Sequence, residues 1–191
     1  MTRRSWLSAL VALLTTVALA SCAKPHWEDE CVTTPEGVIE CAPGKRAPAP
    51  NITGELLDGR PYDISQDRGH VVVVNFWGSW CAPCVAEADD LEATYQATKD
   101  LGVRFLGVNV NDGRDKARAF EEGRVSYPSL FDPASRVALE FEVPPNSVPA
   151  TIVLDREGRI AVVIRRAVVR QMLEPIVTRV AQEQTDSDGS R

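Results

Sequence analysis

Residues 71–84 read Val71-Val72-Val73-Val74-Asn75-Phe76-Trp77-Gly78-Ser79-Trp80-Cys81-Ala82-Pro83-Cys84, and the fold turns on this stretch. Its first seven residues are a continuous β-branched and aromatic run, as in a strand buried on both faces within a parallel sheet. After Gly78 and Ser79 the apolar period changes: Val85, Ala88, Leu91 and Tyr95 form a stripe at helical spacing that ends near Gly102. Cys81 and Cys84 therefore stand at a strand-to-helix turn, one helical turn apart on one face, where their sulfurs can bond without backbone movement. Cys81 lies beside unpaired backbone N–H groups at the positive end of the helix dipole, which favours the thiolate, the nucleophilic form. Cys84, nearer the helix interior, is the natural resolving thiol. Pro83 fits a first turn, where its missing N–H is not needed. Structural zinc would need a second Cys or His pair, and His26 and His70 do not flank each other. A structural clip across so short a loop would remove little unfolded-chain entropy. The spacing points to redox chemistry.

Outward from this turn, Asn51 to Asp63 reads as a hairpin, with Asp58-Gly59 turning Ile52–Leu57 back onto Arg60–Asp63. Val103–Val110 is a second strand. Asp115–Glu122 is a helix stopped by Gly123, and Asp132-Pro133 starts another, with the Asp as cap and the stripe Val137, Ala138 and Phe141. Ala150–Leu154 and Ile160–Ile164 are strands joined by the loop Asp155–Arg159. Leu173, Ile176, Val177 and Val180 mark a last helix, which Pro175 makes start late or bend. This order predicts an α/β domain: a mixed β-sheet flanked by helices on both faces, with an N-terminal β-hairpin extension.

The chain has 191 residues, 44% hydrophobic and 25% charged, which excludes global disorder. A net charge of −6 argues against an electrostatically driven nucleic-acid binder. Arg3 and Arg4 precede an apolar run, Trp6 to Ala20, slightly short for a comfortable bilayer span, which ends in Leu19-Ala20-Ser21-Cys22. Small residues before a Cys resemble the lipobox of bacterial lipoprotein precursors. The resemblance implies a signal peptide over 1–21, lipid on Cys22 and an outer-face location in an oxidising compartment; an ordinary secretory signal leaving a free thiol is the alternative. Loss of 1–21 removes Arg3 and Arg4 and no acid, taking the charge from −6 to −8. The four remaining cysteines allow three pairings, of which chain proximity favours Cys31–Cys41 and Cys81–Cys84. Residues 22–47, rich in Pro, Glu and Thr without periodicity, read as a tether in which Cys31–Cys41 is a structural clip or, alternatively, an electron relay. Residues 48–184 form the domain, and 185–191 read as a disordered tail.

The segment Phe76 to Cys84 resembles the active site of the thioredoxin superfamily, and within it the membrane-tethered bacterial oxidoreductases of the TlpA, ResA and DsbE type. The resemblance implies a thioredoxin-like sheet and thiol–disulfide exchange without a cofactor. It also implies that Pro149, in Ser147-Val148-Pro149-Ala150-Thr151, is a cis-proline facing Cys81 and Cys84, and that the Val148 backbone pairs with a substrate peptide. Glu87 matches an acid placed beside the thiols, to handle protons or tune them; its alternative is a solvated side chain. Trp80 would flank Cys81 as a substrate contact or pack into the core. Asn75 departs from the buried Asp of cytosolic thioredoxins, so acid–base duty falls elsewhere. Asp89 stands where many relatives have Pro. Ala82-Pro83 resembles the reducing relatives, which implies a reductase of exported proteins, often in cytochrome c maturation, recycled by a membrane thiol–disulfide electron donor. A disulfide-forming oxidase is the rival, and a copper carrier would need a His near the motif or Pro149, where none stands.

Overall fold

The computed structural model describes residues 26–183. In chain order the elements are β1 (Val32–Thr33), β2 (Val38–Glu40), β3 (Thr53–Glu55), β4 (Pro61–Asp63), β5 (Val71–Trp77), α1 (Ala82–Thr98), β6 (Val103–Val110), α2 (Arg114–Glu121), β7 (Ser129–Asp132), α3 (Arg136–Glu140), β8 (Ala150–Leu154), β9 (Ile160–Ile164) and α4 (Arg170–Gln182). Seven strands make one sheet in the order β1-β2-β9-β8-β5-β6-β7, while β3 and β4 pair separately. β5, β6 and β7 run parallel and the remaining pairings are antiparallel, so the sheet is mixed.

β5 sits between β6 and β8 and is buried along its whole length. Its side chains alternate between two cores, as a strand's must. Val72, Val74 and Phe76 pack with Leu106, Val108, Phe141 and Ile152, on the side of α3 and the β3–β4 hairpin. Val71 and Val73 pack with Leu91 of α1 and with Leu173 and Val177 of α4. Helices thus cover both faces, and the continuous apolar run has its reason. Gly107, on β6 between β5 and β7, has no room for a side chain: a Cβ there would overlap Ser129 Oγ and lie 2.8 Å from Trp77 Nε1. Its absence lets the Trp77 indole donate to Ser129 across β6, at 3.1 Å.

The structure corrects the reading of residues 22–47 as a tether over their described part. β2 pairs with β9 in register Val38↔Ile164 and Glu40↔Val162, so this segment extends the sheet. A Cys31–Cys41 disulfide, with Cα atoms 4.4 Å apart, closes the β1–β2 hairpin. Arg46 then buries its guanidinium against Glu183 (2.6 and 2.9 Å) and Asp155 (3.3 Å), tying this segment to the end of α4. Such a pair fixes position more than it adds stability. Four further differences are local. The first hairpin has shorter strands than Ile52–Leu57 and Arg60–Asp63. β7 occupies Ser129–Asp132, where only a helix start was expected. Asp132 ends that strand and its carboxylate accepts the N–H groups of Arg136 (2.8 Å) and Ala138 (3.1 Å), capping α3 from four residues upstream with Pro133 outside the helix. α4 begins at Arg170 and accommodates Pro175 in its second turn. Residues 1–21, Cys22 and 185–191 lie outside the described residues, among which no helix is long and apolar enough to cross a membrane.

Replacing both Cys31 and Cys41 by Ala should lower the unfolding free energy by about 3 kcal/mol, the closure entropy of so short a loop. Urea denaturation of the oxidised protein checks this, and an unchanged midpoint would show that the β2–β9 pairing holds the segment without the bridge.

Candidate active site

β5 delivers the chain to its reactive turn at Trp77. Gly78 is required there, since a Cβ would meet the Trp80 indole Nε1 at 2.5 Å. Cys81 N–H then closes the turn on Gly78 O at 3.0 Å. The turn is held from outside by Asp112, in the loop after β6. Its carboxylate accepts the Ser79 N–H (2.7 Å), the Ser79 hydroxyl (3.0 Å), Asn109 Nδ2 (3.0 Å) and the Gly113 N–H (2.8 Å). Burial alone would raise this carboxyl, but those hydrogen bonds outweigh it and hold it below the usual Asp range. Trp80 Nε1 donates to Val110 O at 3.3 Å, while its ring remains 48% exposed beside the thiols.

Cys81 is the N-cap of α1, with extended backbone, and its Sγ accepts the Cys84 N–H at 3.2 Å. The two sulfurs form a disulfide across a Cα separation of 5.2 Å. Both cysteines are buried, 4% and 2% exposed. The Val148–Pro149 peptide bond is cis, and Val148 O lies 3.7 Å from Cys81 Sγ. The structure thus brings Trp80, Cys81, Cys84, Val148 and Pro149 to one end of the sheet.

Glu87 lies one helical turn beyond Cys84 and is buried, 1% exposed. Both of its oxygens are engaged: Asn75 Nδ2 donates to one at 2.9 Å and Val168 N–H to the other at 2.8 Å. Asn75 also donates to Thr151 Oγ1 at 3.1 Å, so β5, β8, α1 and the lead into α4 share one polar line. Burial pushes the Glu87 carboxyl up to about 7, against the opposing pull of the two donors. Two acids escaped the sequence reading. Asp112 and the turn it holds are thirty-three residues apart, with no local signal to join them. Glu121, at the end of α2, reads as a solvated helix residue, yet burial pushes its carboxyl up to about 7 as well. Asp89 is exposed, and nothing in the structure explains it.

The described residues hold one group of metal-ligand type: His26, Glu28 and Glu142, with ligand atoms within 4.8 Å of one another. His26 already pairs with Glu142 (2.8 Å) and Glu28 with Arg165, whose cation opposes a metal ion. His70 precedes β5 and so stands at the opposite end of that strand from the thiols.

The profile of the AhpC/TSA family matches residues 45–163. The chain is 28% identical over 138 residues to the thiol-disulfide oxidoreductase ResA of Bacillus subtilis, covering 72% of this chain and 76% of that one. It is 31% identical over 153 residues to the thiol:disulfide interchange protein HelX of Rhodobacter capsulatus, covering 77% and 84%. Among solved structures, a secreted thiol-disulfide isomerase from Corynebacterium glutamicum superposes with a TM-score of 0.73 and 33% identity, covering 80% of this chain and 97% of that one.

Glu87 makes stability depend on pH with a definite sign. Its carboxyl titrates near 7 in the fold against a reference of 4.5, so folding favours the protonated form. Its contribution is fully present below pH about 4.5 and is lost as pH rises through about 7, a change of roughly 3 kcal/mol. Glu121 acts in the same sense. Denaturation midpoints of the oxidised protein should fall across this window, and Glu87→Gln should flatten the fall by about half. An identical slope in the variant would show that Glu87 titrates as an ordinary carboxylate.

Proposed function

The chain belongs to the AhpC/TSA family and is a thiol–disulfide oxidoreductase of the thioredoxin fold, and on that premise we propose that it reduces disulfides of exported proteins through Cys81 and Cys84. The observation that carries this reading is the Cys81 sulfur itself, capping α1 through the Cys84 N–H and facing the cis-Pro149 loop. In the dithiol form the Cys81 thiolate attacks a client disulfide. One client sulfur leaves as thiolate, the other joins Cys81 in a mixed disulfide, and Cys84 then displaces it. Two electrons pass to the client and the Cys81–Cys84 bond re-forms. Trp80, with the exposed Val85 beyond the pair, offers the client an apolar footing, and the Val148 backbone a strand-like edge.

The direction rests on charge. Burial holds the Glu87 carboxyl, one turn from Cys84, up to about 7; above that pH its charge disfavours a thiolate in the reduced pair, and a less stable dithiol is the stronger reductant. The α1 N-terminus pulls the other way, since it stabilises the reduced thiolate, and this is the observation that favours a disulfide-forming oxidase. Under the reductase reading the protein works outside the cytoplasm, anchored by lipid on Cys22, with Cys31–Cys41 as a clip. Its clients include the haem-attachment cysteines of cytochrome c maturation, and a membrane thiol–disulfide donor recycles it.

The Cys81/Cys84 couple should have a midpoint potential well below about −200 mV; a value near about −120 mV would make the protein an oxidase. Cys81→Ser should abolish reduction of insulin disulfides, while Cys84→Ser should retain clients as mixed disulfides that electrophoresis without reductant detects.

A further inference from the structure

Against Cys84 lies a small cavity lined by Asn75, Trp77, Cys84, Phe120, Glu121 and Tyr127, among others. Its free space is about 10 Å³, the least that takes a single water molecule, and its wall is mostly apolar apart from Asn75, Glu121 and Tyr127. Glu87 is not in its wall. Glu121 is, and its Oε1 is buried without a hydrogen-bond partner among the described residues. Ser129, whose hydroxyl accepts the Trp77 indole N–H at 3.1 Å, pulls the same carboxyl down, though less than burial pushes it up. Glu87, by contrast, has both oxygens committed to Asn75 and Val168.

We propose that Glu121 is the proton acceptor for the resolving thiol Cys84, reached through one water in this cavity. The proposal rests on the exchange chemistry above and adds its proton path. In the mixed disulfide, Cys84 S–H passes its proton through the water to Glu121 Oε1. The Cys84 sulfur attacks the Cys81 sulfur, the Cys81–client bond breaks, and the client sulfur leaves with the bonding electrons. Cys84 is the thiol that needs this help, because it lies inside the first turn and lacks the helix-terminal N–H groups that serve Cys81. The charged and titratable groups facing Glu121 are Asp58 and Arg60 of the β3–β4 turn, Tyr127 ahead of β7, and Cys84 itself; Glu87 shares Tyr127 as a neighbour. Burial raises the Glu121 carboxyl to about 7, so it changes between acceptor and spent acid near neutral pH.

The two thiols can be followed separately by mixing the reduced protein with 5,5′-dithiobis(2-nitrobenzoate). Attack by Cys81 releases one thionitrobenzoate and resolution by Cys84 releases the second. In the native protein the second phase should accelerate as pH rises through about 7. In Glu121→Gln that inflection should vanish and the second phase should slow roughly a hundredfold at pH 7, with the first phase unchanged. Glu121→Asp should recover the inflection in part. An unaltered second phase in Glu121→Gln overturns the proposal. So does an inflection that survives there and disappears in Glu87→Gln. Absence of both phases in the native protein would instead overturn the exchange chemistry itself.

Discussion

A helix leaves its first N–H groups without acceptors of its own, and at α1 one of them finds a sulfur. Much of the site follows from keeping that contact in place. The sulfur must arrive at the helix from a fixed direction, which a strand buried between two neighbours provides and an edge strand would not. The chain must reverse within four residues of Trp77, which needs a glycine beside the Trp80 ring and an outside acceptor for the Ser79 N–H. The cis Val148–Pro149 bond then aims a carbonyl at the sulfur that the helix has already polarised. Rigid surroundings hold one polarisable atom.

A second constraint runs through the core behind it. Glu87 is an acceptor with two donors aimed at it, and one of those donors is a side chain from the central strand. This gives Asn75 a physical reason. An Asp at this position would face Glu87 across a hydrogen-bond distance as a second carboxyl, and one of the two would have to stay protonated. Asn cannot titrate and brings N–H donors. With Asn75 the buried charge is localised on Glu87, and Thr151, two residues beyond the cis-proline, joins the same line. The cis-Pro149 loop and the helix that carries Cys81 and Cys84 therefore share a polar anchor.

What the sequence made legible follows element length and the range of each interaction. β5, β6, β8 and β9 are five to eight residues of predominantly apolar, β-branched composition, and each can be read from it. The Cys81–Cys84 spacing and the Glu87 position are equally local. β2 is three residues long with one buried side chain, too short to show a period, and it exists because β9 offers an edge. β7 was hidden by Asp132-Pro133, which does cap a helix, though from the end of a strand. Asp112 and Glu121 act on groups 33 and 37 residues away in sequence, where an isolated acid looks solvated until the fold buries it.

The same register bears on the second disulfide. Val38 stands opposite Ile164, Ile164 opposite Thr151, and Thr151 opposite Asn75, near the reactive end of β5. Cys41 bonds instead to Ala161, whose neighbours Ile160 and Val162 stand opposite Leu154 and Val153, and these in turn opposite Val72 and Val73. The Cys31–Cys41 bridge is therefore displaced from Trp77 by about five residues along β5, roughly 16 Å, and by three strands across the sheet, roughly 14 Å. Disulfide exchange needs sulfur in contact with sulfur. Within one folded molecule these two bridges cannot meet, so a relay would require a carrier or a second molecule, and the placement supports the clip: a covalent stitch where a short edge hairpin joins the sheet.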